Sequence, residues 1–127
     1  MSFDVHHFAE LLHVDIVEEP GLPAGVDAMY SDHARMVLVR PGLDPWTYRC
    51  TLAHELAHAY FRDEDYGDPR LERRADQWAA RMLITPVEYA AAEAIVGSSV
   101  GALAYELEVT PETIEVWREC FKSRIGT

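Results

Sequence analysis

The sequence has few of the features that place a protein in a membrane, outside the cell or on a nucleic acid. No apolar run approaches the roughly 20 residues that a transmembrane helix needs. The first residues lack the basic flank and apolar stretch of a signal peptide. Lysine and arginine number 11 against 22 aspartates and glutamates, and a net charge of −11 repels phosphate backbones and anionic membranes. We therefore expect a cytoplasmic protein that contacts neither nucleic acid nor a membrane directly.

Cysteine is also scarce. Cys50 and Cys120 are too few for a disulfide framework, and both fall in amphipathic segments, so we interpret them as buried thiols. The length of 127 residues, with 49% apolar and 26% charged residues, corresponds to one globular domain with a sizeable core.

The prolines indicate where helices begin. Four of the seven directly follow Asp or Thr, at positions 45, 69, 86 and 111. Asp and Thr are preferred N-caps, and proline at the first helical position loses no hydrogen bond. The pattern predicts helices near 45–62, 69–83, 86–96, 98–107 and 111–124.

The first third of the chain predicts a mixed segment. Residues 3–13 have the pattern of a short helix, with Phe3, Phe8, Leu11 and Leu12 on its apolar side. Strands are expected over 14–17, 26–30 and 35–40, the last two as a hairpin. The fold class is α+β: one domain over 1–127, with a small three-stranded sheet packed on an active-site helix and followed by a C-terminal helical bundle. Its parts are helix and sheet (1–43), two central helices (44–84) and C-terminal helices (85–127).

Residues 54–58 read His-Glu-Leu-Ala-His, a pattern that can hold a metal on one face of a helix. Residues four apart lie about 5–6 Å from each other at Cβ, so His54 and His58 can converge on one ion. Glu55 lies about 100° around the helix from His54. That direction suits a general base acting on a water molecule held by the metal.

The alternative is a pair of surface histidines on an ordinary helix. The segment from Leu52 to Phe61 is apolar apart from the three motif residues and the hydroxyl of Tyr60, which predicts a buried helix. Two buried imidazoles and a buried carboxylate without partners would be strongly destabilising. A metal ion supplies the partner, so the pattern favours a metal site.

Catalytic zinc usually takes three protein ligands and a water molecule, and the candidates for the third ligand lie downstream. Phe61 and Glu64 stand where the metzincin extension has glycine and histidine, which disfavours that class. Glu64 is a weak candidate within the acidic run 63–65, which we interpret as a solvated loop. Glu72 and Asp76 border the apolar stripe of the next helix, so we expect Glu72 as third ligand and Asp76 as hydrogen-bond acceptor for a ligand histidine. The alternative for Glu72 is pairing with the arginines of a charged helix face.

At this point the chain resembles a known family. The stretch 49–58 followed by 72–84 looks like the ImmA/IrrE family of small metallopeptidases, and H-E-x-x-H followed by E-x-x-A-D is similar to the gluzincin arrangement. The resemblance implies that His54, His58 and Glu72 bind Zn²⁺, that Glu55 is the catalytic base and that Asp76 orients a ligand. Its specific part covers about residues 49–84, and 13 residues separate the two motifs.

The resemblance also implies a function. Members of the family are common in phages and other mobile elements, often beside a helix-turn-helix repressor. The implied activity is that of a zinc-dependent endopeptidase that cleaves a regulatory protein such as this repressor, with Glu55 as general base on a zinc-bound water. The alternative is a non-catalytic antirepressor that binds its partner on a metallopeptidase scaffold. For the oxyanion donor the sequence offers four candidates and selects none: Tyr30, His33, Tyr60 and Tyr66.

Residues 100–117 have the pattern of a helix-turn-helix unit. In such a unit the first turn of the second helix faces base edges and phosphates. Glu112 and Glu115 occupy that turn and oppose DNA binding. The apolar residues of the segment are enough to explain it as packing, so we expect no direct contact with nucleic acid.

Overall fold

The computed structural model describes residues 3–64 and 67–125, with side chains as far as residue 121. Three strands and six helices follow one another along this part of the chain: α1 (Val5–Leu11), β1 (Asp15–Glu18), β2 (Ala28–Ser31), β3 (Met36–Val39), α2 (Pro45–Phe61), α3 (Pro69–Leu83), α4 (Pro86–Val96), α5 (Val100–Leu107) and α6 (Pro111–Ile125). The α+β class and the three-stranded sheet are confirmed. None of these helices is long and apolar enough to cross a membrane.

The strand β3 lies in the middle of the sheet. It pairs in parallel with β1 and antiparallel with β2, so the predicted hairpin forms and β2 is an edge strand. Val37 and Val39 of β3 are fully buried. β2 begins two residues later than predicted because Val26 is held in a turn, in which its N–H donates to the carbonyl of Pro23.

The helices begin where the Asp-Pro and Thr-Pro pairs predict. Asp44, Asp68 and Thr85 each accept a hydrogen bond from a backbone N–H of the first turn, and a proline follows each of them. Thr85 and Glu88 complete a reciprocal capping box. α5 begins two residues later than predicted because Ser99 is its N-cap. Asp44 and Asp68 thus fix the starts of α2 and α3, the two helices that carry the candidate site.

Helix α2 lies at the centre of the core. Leu52, Ala53, Leu56 and Ala57 are fully buried. The helix packs against α1, the sheet and α3. Because α2 has packing neighbours on nearly every side, its residues are apolar on nearly every side.

The C-terminal helices bury the apolar side of the segment that has the helix-turn-helix pattern. α6 packs against both α3 and α5. Leu103, Val109 and Ile114 are fully buried, and the indole N–H of Trp117 donates to the carbonyl of Ile84 at 2.8 Å. Packing accounts for this pair of helices, as the sequence predicts.

Two predictions of burial are wrong. Leu11 is 62% exposed, because Val5 and Ala9 form the buried side of a helix that ends before the predicted residue 13. The chain turns into β1 through His13, whose φ of 57° is left-handed. Cys50 and Cys120 are free thiols, but both are only half-buried.

Candidate metal centre

Helix α2 presents two imidazoles to α3. His54 and His58 are one turn apart, and their ring centroids are 4.9 Å from each other. The His58 residue is only 2% exposed, which contradicts the alternative of two surface histidines. The side chain of His54 is 22% exposed and reaches the edge of a cleft.

Glu72 faces both rings from the first turn of α3. Its Oε1 lies 2.9 Å from Nε2 of His54, and its Oε2 lies 3.3 Å from Nε2 of His58. The start of α3 is set by Asp68 at the N-cap, and Ala75 on the same side of the helix is fully buried against the core. The structure thus brings Glu72 beside both histidines, whereas Glu64 is exposed and lies outside this group.

The opposite nitrogen of each ring is held by a separate carboxylate. Nδ1 of His54 lies 2.8 Å from Oδ1 of Asp76, the contact expected for that residue. Nδ1 of His58 lies 2.9 Å from Oδ2 of Asp63. A carboxylate only accepts hydrogen bonds, so both contacts favour a proton on Nδ1 of each ring. The Nε2 atoms of both rings then face Glu72.

Asp63 also belongs to this group, although the sequence predicts a solvated loop over the acidic run 63–65. The prediction is wrong for Asp63, which is only 8% exposed. Arg62 ends α2 in the left-handed conformation (φ 58°, ψ 41°), and the N–H of Asp63 then donates to the carbonyl of His58 at 2.9 Å. This backbone bond spans five residues, as in a Schellman cap. A carboxylate five residues after a candidate ligand histidine, at the end of its helix, is the signal that would have found it.

Glu55 lies beside the histidines but points to a different side of α2. It is 8% exposed and lines the same cleft as His54. Burial raises its pKa to about 7, although His54, His58 and a hydrogen bond from the Tyr30 backbone oppose the shift. A buried carboxyl with a pKa in this range is suited to exchange protons near neutral pH.

The carboxylates around His54 raise its pKa. Burial by itself lowers the pKa of His54, but the hydrogen bond to Asp76, the charges of Glu55 and Asp76 and the hydrogen bond to Glu72 together raise it to about 9. The same negative surroundings that favour a proton on His54 would favour a bound cation.

The arrangement fits a divalent metal ion. One ligand atom from each of His54, His58 and Glu72 can be chosen so that all three lie within 4.8 Å of one another. Two imidazoles and one carboxylate form a donor set that catalytic zinc uses. The two Nδ1 supports orient the rings in the way typical of metal-binding histidines.

A cleft of about 470 Å³ is lined by His54, Glu55 and Asp76, whereas His58 and Glu72 do not line it. Its walls come from residues 25–28 before and at the start of β2, from α2 and α3, and from the first turns of α6, including Glu112. Tyr30, His33 and Tyr60 do not line this cleft. Tyr66 lies outside the described residues.

Comparisons with known proteins agree with this geometry. The family model described as Peptidase_M78: IrrE N-terminal-like domain matches residues 9–116. No curated protein sequence matches the chain. Among solved structures, a Mycobacterium tuberculosis transcriptional regulator is similar at a TM-score of 0.66 and 19% identity.

That similarity covers 88% of this chain but 40% of the regulator, so the chain spans less than half of its length. At this identity the likeness shows the fold alone. The family match covers most of the chain, including both motifs. The chain therefore belongs to the Peptidase_M78 family of IrrE N-terminal-like domains.

Proposed function

We propose that this chain is a zinc-dependent endopeptidase that cleaves a regulatory protein, such as a helix-turn-helix repressor, in the cytoplasm. The observation that carries the proposal is the placement of Glu55. Its buried carboxyl lines the same cleft as His54, next to a His-His-Glu group that fits a metal ion. A metal site with a structural role alone needs neither an open cleft nor a base beside it.

Each residue of the group has a separate part in the proposed hydrolysis. His54, His58 and Glu72 hold the ion, and Asp76 orients His54 through Nδ1. A zinc ion bound there supplies Lewis-acid chemistry, lowering the pKa of water and polarising a carbonyl. Glu55 takes the proton of the attacking water and delivers it to the leaving amine.

The edge of the sheet supports a protein as substrate. The residues that lead into β2 line the cleft, and in the described part of the chain β2 pairs only on its β3 side. An extended peptide can add to such an edge through main-chain hydrogen bonds, which do not depend on its sequence. With a net charge of −11, the chain favours a protein over a nucleic acid as its partner.

The proposal is tested with a proteome-derived peptide library and the zinc-loaded full chain. We expect wild type to generate new peptide N-termini and Glu55→Gln to lose them by about 10²- to 10⁴-fold. Equal zinc content in the two proteins is the matched control, because the glutamine variant keeps all three ligands. Cleavage at the wild-type rate by Glu55→Gln, or no cleavage by zinc-loaded wild type, would contradict the proposal.

A second candidate is a regulatory module that binds its partner without cleaving it. It is supported by the solved regulator, which shares the fold and is named for transcriptional control. In that case Glu55→Gln would keep the regulatory effect, and no fragment of the partner would appear. A partner fragment that is absent with Glu55→Gln eliminates this candidate.

A further inference from the structure

We propose that Arg74, acting through Asp63, is a positioning residue that holds His58 in the orientation required to bind zinc. This inference rests on the proposed zinc site. It assigns a role to Asp63, which lies between the two motifs, and to Arg74, which occupies an unspecified position of the second motif. Neither residue touches the metal position: the carboxylate lies on the far nitrogen of His58, and the guanidinium lies beyond the carboxylate.

The two oxygens of Asp63 have different partners. Oδ2 accepts from Nδ1–H of His58 at 2.9 Å, and Oδ1 accepts from the guanidinium of Arg74 at 2.6 Å. The carboxylate therefore connects a ligand on α2 with a cation on α3. Because charge-assisted hydrogen bonds are short and directional, this bridge restricts rotation of the imidazole.

The backbone fixes the carboxylate independently of its side-chain contacts. The N–H of Asp63 bonds to the carbonyl of His58, the same residue whose ring its side chain holds. Arg74 is fixed as well, because its guanidinium carbon lies 3.9 Å from the centroid of the Phe61 ring. Stacking against a ring leaves the edge of the guanidinium free to donate. The bridge is thus anchored at both ends.

Burial makes His58 depend on this bridge. The side chain of Asp63 is 8% exposed, so its charge has little solvent to stabilise it, and the partner cation is Arg74. The side chain of Arg74 is itself 44% exposed, so only the carboxylate end of the pair is buried, and removing Arg74 leaves that buried charge without its cation. His54 differs, because its support Asp76 has a side chain that is 53% exposed and can be solvated. We therefore expect the imidazole of His58 to be held more rigidly than the imidazole of His54.

Zinc affinity of the full chain, measured by competition with a chelator, tests the role. We expect Asp63→Ala to weaken zinc binding by about 10- to 100-fold, as is usual for a residue that orients a ligand histidine. Arg74→Gln, one contact further away, should weaken it by about three- to tenfold. Arg73→Gln is the matched control: the neighbouring arginine is exposed and should leave the affinity within about twofold.

A second readout separates positioning from general stabilisation. The Nδ1 proton of His58 should give a protected downfield proton resonance in zinc-free and zinc-loaded protein. It should exchange rapidly with water in Asp63→Ala, and Asp63→Asn should partly restore the protection because the amide oxygen still accepts. Asp63→Asn and Arg74→Gln keep the test valid if Asp63→Ala does not fold.

Equal zinc affinity in Arg74→Gln and Arg73→Gln would overturn the inference. An Nδ1 proton of His58 that is equally protected in wild type and Asp63→Ala would also overturn it. Failure of the proposed peptidase function gives a different result: no peptide is cleaved, while the order of zinc affinities and the protection of the Nδ1 proton remain as expected.

Discussion

Helices α2 and α3 both carry candidate ligands, but they are built differently. α2 is apolar on nearly every side and contributes His58, which is 2% exposed. α3 has a charged outer face and contributes Glu72, whose side chain is 37% exposed. The difference indicates that His58 also belongs to the core, whereas Glu72 on α3 can change with little effect on folding.

The largest expected effect is on the stability of the zinc-free protein. We expect His58→Ala to lower the free energy of unfolding by about 2–3 kcal/mol, because it leaves the buried carboxylate of Asp63 without one of its hydrogen bonds. Glu72→Ala should change it by less than about 1 kcal/mol, since the residue is half-exposed. Urea unfolding in the presence of a chelator measures both.

An exposed histidine provides the control for this pair. The side chain of His7 is 66% exposed, so His7→Ala should leave the unfolding midpoint nearly unchanged. If Glu72→Ala were as destabilising as His58→Ala, the proposed difference between the two helices would be wrong.

A smaller effect is expected on the His54 side of the site. Asp76→Asn keeps a hydrogen-bond acceptor for Nδ1 of His54 at a position that solvent already reaches. We expect zinc affinity to fall by less than about tenfold, at or below the lower end of the usual range for such residues. The same chelator competition applies, and a loss larger than that of Asp63→Ala would reverse the proposed order of the two supports.

The smallest effect concerns α6, which packs against α3. Trp117→Phe removes the indole N–H that donates to the carbonyl of Ile84. We expect a loss of about 1 kcal/mol in unfolding free energy. Zinc affinity should stay at the wild-type value, and a clear decrease would show that α6 contributes directly to the metal position.

Short-range signals explain what the sequence could predict. Asp-Pro and Thr-Pro pairs mark helix starts because capping is decided within one turn, and His54, Glu55 and His58 take their directions from a single helix. Glu72 could be predicted because the apolar stripe of α3 fixes which side faces α2.

The missed features depend on longer-range geometry. Asp63 reaches His58 only because Arg62, which is not a glycine, takes a left-handed conformation after α2. The parallel pairing of β1 with β3 joins segments that no local signal connects. The exposure of Leu11 follows from an early helix end that the apolar pattern does not encode.

The most direct measurement is the zinc content of three identically purified proteins by elemental mass spectrometry: wild type, Glu72→Ala and Glu115→Ala. Glu115 is an exposed glutamate on α6 that lies outside the cleft and serves as the matched control. The proposed site predicts about one zinc ion per chain in wild type and the control, and much less in Glu72→Ala. No zinc in wild type after zinc has been added, or undiminished zinc in Glu72→Ala, would contradict it.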